Sequence, residues 1–295
     1  MKVLVIGGNR FLGVELTARL LARGDDVTLL NRGTLVDPFG ERVKRLRADR
    51  GTADFDAALV GTRWDVVFDF ALFDGPQTER LIRVIDAQHV VVISTGQVYL
   101  VRTPRPAIAR ESDFEGVILP AAPTPEEEPD YRYGIEKREV ESRLAASGLP
   151  HTIFRLPMVH GGRDQKQRFG RLLWNLVERK PILLRAPDAP VRQVFSGAVV
   201  DALLASSIRG PSRAAWNLAW SDEVTSGELV DAAARSLGTT AVIRPEQTAT
   251  TDECFLNSKW MSALDASAAR RDLAFTHPPL DGWLAQLTHA WLSRL

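Results

Sequence analysis

The N-terminal segment, up to residue 32, holds the pattern that most restricts what this chain can fold into. Residues 1–6 form an apolar run of the length of one buried parallel strand. A glycine-rich turn follows at residues 7–13, and residues 27–30 form a second apolar run. Between the two runs, leucines recur every four residues at Leu12, Leu16 and Leu20, which predicts one face of a helix that ends at Gly24. The segment is therefore predicted to be a strand–turn–helix–strand unit of a doubly wound α/β sheet.

The glycine-rich turn is suited to holding a pyrophosphate. Glycines let the backbone turn sharply and approach the phosphates, and the first turn of the following helix presents free N–H groups. The usual spacing is G-x-G-x-x-G, whereas this chain has Arg10 where a glycine is common. A purely structural glycine turn is the alternative interpretation. The turn residues predicted to bind a dinucleotide are Gly7, Gly8, Asn9, Arg10, Phe11, Leu12 and Gly13.

The residues after the second strand predict which dinucleotide is bound. An acidic residue at this point binds the ribose of NAD, whereas an arginine pairs with the 2′-phosphate of NADP. Asn31 and Arg32 occupy this point, and Arg10 is a second candidate for the same phosphate. The sequence therefore favours NADP(H) over NAD(H), with a solvated loop charge as the alternative for Arg32. Asp49, after the third strand, is predicted to contact the adenine amino group.

A run of basic residues lies between residues 42 and 50. We interpret it as the third strand, with Val43, Leu46 and Ala48 as its apolar positions and with its charges in solvent. A surface for single-stranded nucleic acid would need interleaved aromatic residues, and the run has none. No nucleic-acid partner is expected.

Strands and helices alternate along the next part of the chain. Strands are predicted at 65–71 and 89–93, and helices at 76–87 and 131–147. This alternation predicts a Rossmann-type doubly wound parallel sheet with a smaller C-terminal α/β substrate lobe. The domain predicted to bind NADP comprises 1–162 and about 191–221, and the lobe comprises about 163–190 and 222–295.

Composition excludes several classes of protein. The formal net charge is +0, so no global charge favours nucleic acid or a membrane surface. The single cysteine, Cys254, cannot form an internal disulfide, which agrees with a reducing cytoplasm. No stretch has the length of a membrane span, and the five histidines are scattered without metal-ligand spacing. We expect a cytoplasmic protein without a metal site, in which His160 is a packed residue.

Hydroxyl groups follow the fifth strand, at Ser94 and Thr95, where a doubly wound sheet binds its ligands. The long segment 102–130 is expected to cross over this edge. Tyr133 and Lys137 then lie four residues apart, on one face of a helix. A surface pair on an amphipathic helix is the alternative interpretation of these two residues.

The glycine turn, Thr95 and the Tyr133-x-x-x-Lys137 pattern together resemble the short-chain dehydrogenase/reductase superfamily. The similarity is greatest to its extended branch, the NAD-dependent epimerase/dehydratase group. The segments 155–162 and 216–218 match further stretches of that branch. The resemblance implies that Ser94, Pro157 and Lys137 contact the cofactor, and that Arg192 contacts the diphosphate of a nucleotide-sugar substrate. A strand-edge charge is the alternative for Arg192.

The resemblance also implies a mechanism that the side chains support. A phenol has a pKa near 10, and a neighbouring ammonium lowers that pKa. Tyr133 is then expected to exchange a proton with the substrate oxygen during hydride transfer, while Thr95 holds that oxygen. Dehydration is not expected, because Gly96 and Gln97 stand where dehydratases have an Asp-Glu pair.

The sequence thus predicts an NADP(H)-dependent oxidoreductase or epimerase acting on a carbonyl/alcohol pair of a nucleotide sugar or a similar polar metabolite. A homodimer through the helices at 76–87 and 131–147 is a family-level expectation. The alternative is a non-catalytic nucleotide-binding regulator or RNA-associated protein on the same fold, since the atypical turn resembles that of such relatives.

Overall fold

A seven-stranded parallel sheet forms the centre of the protein. The structure is a computed structural model that describes residues 1–164, 166–221, 224–245 and 263–295. Cys254 lies outside these ranges. The N-terminal elements are β1 (Lys2–Ile6), α1 (Phe11–Arg23), β2 (Asp26–Asn31), β3 (Lys44–Arg47), α2 (Ala53–Leu59), β4 (Arg63–Asp69), α3 (Gly75–Val84), β5 (Asp86–Thr95), α4 (Gln97–Leu100), β6 (Arg102–Thr103), β7 (Ile108–Ala109), β8 (Val117–Ile118) and α5 (Glu128–Ser147).

The second half of the chain completes the sheet and builds a smaller lobe. Its elements are β9 (His151–Leu156), β10 (Val159–His160), α6 (Arg168–Val177), β11 (Ile182–Leu184), β12 (Pro190–Val191), β13 (Val194–Phe195), α7 (Ser196–Arg209), β14 (Ala215–Asn217), β15 (Val224–Thr225), α8 (Ser226–Ser236), β16 (Ile243–Pro245), β17 (Ala263–Leu264), α9 (Ser267–Leu273) and α10 (Leu280–Leu292). Short 3-10 turns lie at Gly40–Arg42, Glu111–Phe114 and Pro125–Glu127.

The strand order of the large sheet is β14-β9-β5-β4-β1-β2-β3. The order reverses between β1 and β4, so the carboxyl ends of these strands border the crevice where doubly wound sheets bind ligands. The register aligns Ile6 with both Leu30 and Asp69, and Asn31 with Arg47. The predicted Rossmann-type architecture is confirmed.

Local signals set the ends of the first helices. Gly24 ends α1 in the left-handed conformation, with a φ of 88° that costs glycine nothing. Asp74 caps α3 by accepting a hydrogen bond from the Gln77 amide at 2.8 Å, and Pro76 lies in its first turn. The prediction that this helix reaches Ala87 is wrong, because Ile85 is extended and β5 already begins at Asp86.

Helices cover both faces of the large sheet. The apolar face of α1 packs with α7 and α9 on one face, while α2, α3 and α5 cover the other. A separate apolar core lies between α6, α8 and α10, where Trp220 and Trp283 are 2% and 1% exposed. Strands β1, β2 and β9 are buried along most of their length, as expected of parallel strands covered by helices on both faces.

The second core forms the smaller C-terminal lobe, with short strand pairs β11–β16 and β12–β15. Strand β14 belongs to the large sheet, and helix α7, which precedes it, packs against the core of that sheet. Residues 264–275 also pack against the core of the large sheet, through Leu264, Ala269 and Phe275. The division of the chain into two domains stays a prediction.

The basic run at 42–50 is not simply solvated. Arg45 pairs with the buried carboxylate of Asp37 through two hydrogen bonds of 3.0 and 2.7 Å, and Arg50 pairs with Asp69. Lys44 donates to Asp26 at 2.7 Å. The prediction of solvated charges is wrong for Arg45 and Arg50, because acidic residues elsewhere in the chain neutralise them.

The described ranges contain neither a membrane-spanning helix nor a cluster of metal-ligating side chains. No helix there is long and apolar enough to cross a bilayer. Nor do the described residues bring three histidine, cysteine or acidic side chains together in a way that would hold a metal ion.

Candidate functional site

A cleft of about 560 Å³ opens at the carboxyl ends of β1, β2 and β4. Its floor is the glycine turn. Gly7 has a φ of +80°, and its amide donates to the Leu30 carbonyl at 3.0 Å. A Cβ on Gly13 would lie 2.6 Å from the Cα of Gly8, so the helix packs directly on the turn. The predicted cofactor residues that line the cleft are Gly7, Asn9, Arg10, Phe11, Leu12, Gly13, Asn31, Arg32 and Asp49.

Arg10 occupies the N-cap position of α1, in an extended conformation and without a side-chain capping bond. It therefore adds a positive charge to the end of the helix where unpaired N–H groups already favour an anion. The side chain of Asn9 donates to the Leu35 carbonyl at 3.2 Å, which ties the turn to the loop after β2. This end of the cleft is electrostatically suited to a phosphate.

The residues after β2 and β3 form the far end of the cleft. The side-chain oxygen of Asn31 accepts hydrogen bonds from the Gly33 amide and from Arg47, whereas its Nδ2 is buried with no partner in the described structure. Arg32 lies 3.8 Å from the carboxylate of Asp49, and both side chains are about half exposed or more, at 65% and 49%. Such a pair is weak in water, so Arg32 keeps its freedom to meet an anion.

Tyr133, Thr95 and Lys137 come together beyond the other end of the cleft. The Thr95 hydroxyl lies beside the Tyr133 phenol and acts to lower its pKa, and Thr95 Oγ1 accepts from the Gln97 amide at 3.2 Å. Lys137 Nζ donates to the carbonyls of Leu72 and Ile93 at 2.6 and 2.9 Å. Ile93 and Phe73 line the cleft, and the Phe73 ring lies 5.2 Å from Nζ, so the trio adjoins the cleft.

Burial controls the protonation of this trio. Burial raises the pKa of Tyr133 to about 12. The Thr95 side chain lowers this pKa, but its effect is smaller than that of burial. Burial also lowers the pKa of Lys137 to about 8, while Asp69 and Glu141 act in the opposite direction. Lys137 Nζ lies 5.8 Å from the centre of the Tyr133 ring and donates to backbone carbonyls. The expectation that Lys137, together with a bound nicotinamide, lowers the pKa of the phenol stays a prediction.

A glycine lets the helix that carries Tyr133 approach α4. A Cβ on Gly134 would lie 2.5 Å from Val101 Cγ1 and 2.8 Å from the Gln97 carbonyl oxygen. Helix α5 therefore packs on α4 with no side chain between them at this point, directly beside Tyr133.

Other predicted site residues lie away from the cleft. Ser94 donates to the buried carboxylate of Glu141 at 2.5 Å, so its hydroxyl is committed to the protein interior rather than to a cofactor. Gly8 lies beneath the turn against Val5, and Pro157 directly follows β9 without lining the cleft. Arg192 lines a separate surface cavity of about 420 Å³ with Arg110 and Asp265. The assignment of Arg192 to a substrate stays a prediction.

Arg50, Phe55 and Phe73 are among the cleft residues that sequence reasoning missed. The sequence did indicate that some cation is buried here, since Asp69 is a charged residue at the end of an apolar strand, but it did not indicate which one. The aromatic residues carried no comparable signal.

Solved structures of nucleotide-sugar epimerases have the same fold as this chain. UDP-glucuronic acid 4-epimerase from Bacillus cereus, solved with UDP-glucuronic acid and NAD, matches with a TM-score of 0.75 over 100% of both chains at 16% identity. UDP-glucose 4-epimerase from Thermotoga maritima, solved with UDP-glucose, matches with a TM-score of 0.74 over 100% of this chain and 99% of that one, at 17% identity. The chain has the fold of the extended short-chain dehydrogenase/reductases, so the predicted resemblance is confirmed at the level of the fold.

Comparison by sequence finds fewer similar proteins than comparison by structure. No protein-family model matches the chain. Among curated proteins, it is 28% identical over 178 residues to the chloroplast stem-loop binding protein of 41 kDa b from Arabidopsis thaliana. This match covers 54% of the chain and 42% of that protein, less than half of the relative's length.

Proposed function

We propose that this chain is a nicotinamide-dinucleotide-dependent oxidoreductase or epimerase of the short-chain dehydrogenase/reductase type. Its substrate would carry a carbonyl/alcohol pair on a nucleotide sugar or a similar polar metabolite. The observation that carries the proposal is the proximity of Tyr133 and Thr95, with Lys137 on the same helix face as Tyr133. These three residues lie at the end of a cleft whose base is a glycine turn.

The residues of the cleft fit a dinucleotide. The Gly8–Gly13 contact leaves no room for a side chain beneath the phosphates, and the unpaired N–H groups of α1 and Arg10 supply positive potential. The orphaned Nδ2 of Asn31 offers a hydrogen bond at the adenosine end. Gly7, Gly13 and Arg10 would hold the pyrophosphate, and Asn31, Arg32 and Asp49 the adenosine. A bound nicotinamide would supply or accept the hydride.

The chain's own residues would handle the proton and the substrate oxygen. With a pKa raised to about 12, Tyr133 is protonated at neutral pH and suited to donate its proton to a carbonyl oxygen during reduction. The Thr95 hydroxyl, which lies beside Tyr133, would hold the same oxygen. Lys137, protonated below its pKa of about 8, would place a positive charge beside the developing phenolate.

We also propose that the cofactor is NADP(H) rather than NAD(H). Arg32 is 65% exposed at the end of β2, and Arg47 lies beside it, bonded to Asn31. Two guanidinium groups at the point where the adenosine ribose is expected favour a 2′-phosphate. The epimerase from Bacillus cereus was solved with NAD, so the proposed preference for NADP would distinguish this chain from that neighbour.

Calorimetric titration with NADP⁺ and with NAD⁺ tests both the proposed dinucleotide binding and the proposed preference for NADP(H). We expect the protein to bind NADP⁺ more tightly, and Arg32→Ala to weaken NADP⁺ about 10- to 100-fold while leaving NAD⁺ unchanged. The matched control is Arg42→Ala, because Arg42 is exposed and donates to the nearby carbonyls of Phe39 and Pro38. Binding of neither dinucleotide would refute the proposed function, and tighter NAD⁺ binding would refute only the cofactor preference.

A second candidate function is RNA association, favoured by the match to a stem-loop binding protein. Against it, several charges of the basic run are neutralised within the chain. Fluorescence anisotropy with a stem-loop RNA would test this candidate. Submicromolar binding that weakens steeply with salt would support it, since phosphate contacts release counterions.

A further inference from the structure

A second pocket, of about 310 Å³, lies between helices α6 and α10 on the surface of the smaller lobe. Its volume is at the lower end of the range of small-molecule sites, about 300–1,000 Å³. The residues that line it are Gln167, Gly170, Arg171, Trp174, Asn175 and Trp291. None of these six residues lines the dinucleotide cleft, so the pocket is separate from the proposed catalytic site.

Two tryptophan rings form the aromatic part of this pocket. The ring centres of Trp174 and Trp291 are 6.0 Å apart and the ring planes are inclined by 70°, which is an edge-to-face arrangement. Trp174 is 44% exposed, although tryptophan side chains are on average highly buried in folded proteins. Because Trp174 lines the pocket and keeps this exposed surface, its indole is available to stack on a ligand.

A glycine within α6 makes room for the second ring. A Cβ on Gly170 would lie 3.2 Å from Cδ1 and 3.3 Å from Nε1 of Trp291, which is closer than most side chains pack. Glycine is unfavourable inside a helix, so its presence at this position indicates that the space beside it is used. A larger residue would displace Trp291 and fill part of the pocket that Gly170 lines.

Planar polar groups surround the two rings. Gln167 and Asn175 each carry a carbonyl acceptor and two N–H donors, and Arg171 carries a fork of five N–H donors. Arg171 and Asn175 also interact with other parts of the chain, which restricts their side chains. A ligand of this pocket therefore meets aromatic surface together with groups that both donate and accept hydrogen bonds.

A sugar ring has the matching combination of surfaces. The C–H groups of a pyranose form an apolar face that packs on an aromatic ring, and each hydroxyl at its rim both donates and accepts hydrogen bonds. A strand of nucleic acid would instead need unpaired cations for its phosphates. At the start of α6, Arg168 pairs with Asp164 at 3.2 Å, and just beyond its end Lys180 pairs with Glu178 at 2.6 Å. These pairings and the two amide side chains favour a neutral ligand.

We infer that the pocket between α6 and α10 binds a neutral carbohydrate, with a sugar ring stacked on Trp174. Trp291 forms a second wall of the pocket. The side chains of Gln167, Arg171 and Asn175 bond to the hydroxyl groups of the sugar. The inference goes beyond the proposed function and does not depend on it, since the pocket and the cleft share no lining residue.

The test is a titration of the whole chain with the neutral disaccharides maltose, cellobiose, lactose and N,N′-diacetylchitobiose, followed by saturation-transfer difference NMR. We expect at least one of them to bind with a millimolar Kd, and Trp174→Leu to weaken that binding about tenfold or more. Trp174→Phe keeps an aromatic face and should retain most of the affinity. Val177→Leu is the control, because Val177 is an exposed position of α6 outside the pocket, and it should leave binding unchanged.

Gln167→Ala guards against misfolding, since it changes an exposed side chain and leaves both tryptophans in place. It should retain the melting temperature of the wild type and weaken the same sugar several-fold. Failure of all four sugars to bind at millimolar concentration would overturn the inference, as would equal binding by the wild type and a folded Trp174→Leu. Binding of a single-stranded oligonucleotide that depends on Trp174, with no binding of sugars, would assign the pocket to nucleic acid and also overturn it. None of these outcomes changes the dinucleotide titrations that test the proposed function.

Discussion

Arg155 and Glu141 form an ion pair inside the protein, where their side chains are 5% and 4% exposed. Nη2 of Arg155 donates to Oε2 of Glu141 at 2.6 Å, and Nε donates to both oxygens of the same carboxylate. Arg155 also donates to the Tyr99 hydroxyl at 2.7 Å, and burial raises the pKa of that phenol. The pair joins α5, which carries Tyr133 and Lys137, to β9 of the central sheet.

Removing the arginine of this pair should destabilise the fold strongly. Arg155→Met leaves Glu141 charged in the interior without its main partner, which costs about 3–5 kcal/mol of unfolding free energy. Urea denaturation measures this loss. The control is Arg143→Met, whose partner Glu79 is 62% exposed and whose loss should cost under about 1 kcal/mol. Equal losses in the two variants would contradict the structural role of the buried pair.

Removing one hydroxyl should separate catalysis from cofactor binding. Tyr133→Phe keeps the ring but lacks the proton, so turnover should fall about 10²- to 10⁴-fold while the dinucleotide Kd stays unchanged. Nicotinamide absorbance with a panel of nucleotide sugars measures turnover. Tyr131→Phe is the control, since its hydroxyl donates to the Leu119 carbonyl at 2.6 Å. Full activity of Tyr133→Phe would refute the acid/base role.

Acid should unfold the protein partly through His160. This histidine is 1% exposed and stacks on Trp283 at 5.7 Å, and burial lowers its pKa from 6.5 to about 4. The unfolded state therefore binds the proton first, and stability is lost as pH falls from about 6.5 toward about 4. Between about pH 7.5 and about pH 5, this group alone should remove about 2 kcal/mol.

Urea denaturation at the two pH values checks the acid effect. His160→Phe keeps an aromatic ring against Trp283 and should make the loss of stability with acid smaller. The exposed His289 supplies the control, and His289→Gln should keep the full pH dependence of the wild type. An unchanged dependence in His160→Phe would show that other groups cause the acid effect.

The phosphate turn should not tolerate one added methyl group. In Gly13→Ala the new Cβ would lie 2.6 Å from the backbone of Gly8, so the turn must shift away from the helix. We expect dinucleotide binding to fall more than about tenfold and stability to fall by about 1–3 kcal/mol. Gly282→Ala in α10 is the control, because its nearest neighbour lies at 3.7 Å and alanine favours a helix. Titration and thermal melting compare the two.

Periodic patterns made the large sheet predictable. The apolar runs of β1 and β2, the leucine spacing of α1 and the cap at Gly24 are local signals, and each reappears in the structure. The Tyr133-x-x-x-Lys137 spacing likewise needs only one helix, and the order of the motifs placed Thr95 beside it. Features that depend on one helix or strand could therefore be predicted from the local sequence.

Contacts between distant segments were not predictable in this way. The sequence contains many arginines, and nothing local distinguishes Arg50, which finds Asp69 in the next strand, from the exposed Arg42. Ser94 was expected to face a cofactor, yet it faces Glu141, because the packing of α5 on β5 decides which hydroxyl turns outward. Such pairings depend on tertiary packing, which one sequence does not reveal.

The absence of a side chain at Gly134 determines how closely α5 packs on α4, and therefore where the Tyr133 oxygen lies. With any larger residue there, α5 would have to move away from α4, and the Tyr133 oxygen would move with it, out of reach of Thr95. A hydrogen bond tolerates only a few tenths of an ångström of such displacement. Gly134, the smallest residue of the helix, therefore determines how far the side chain of Tyr133 next to it extends into the site.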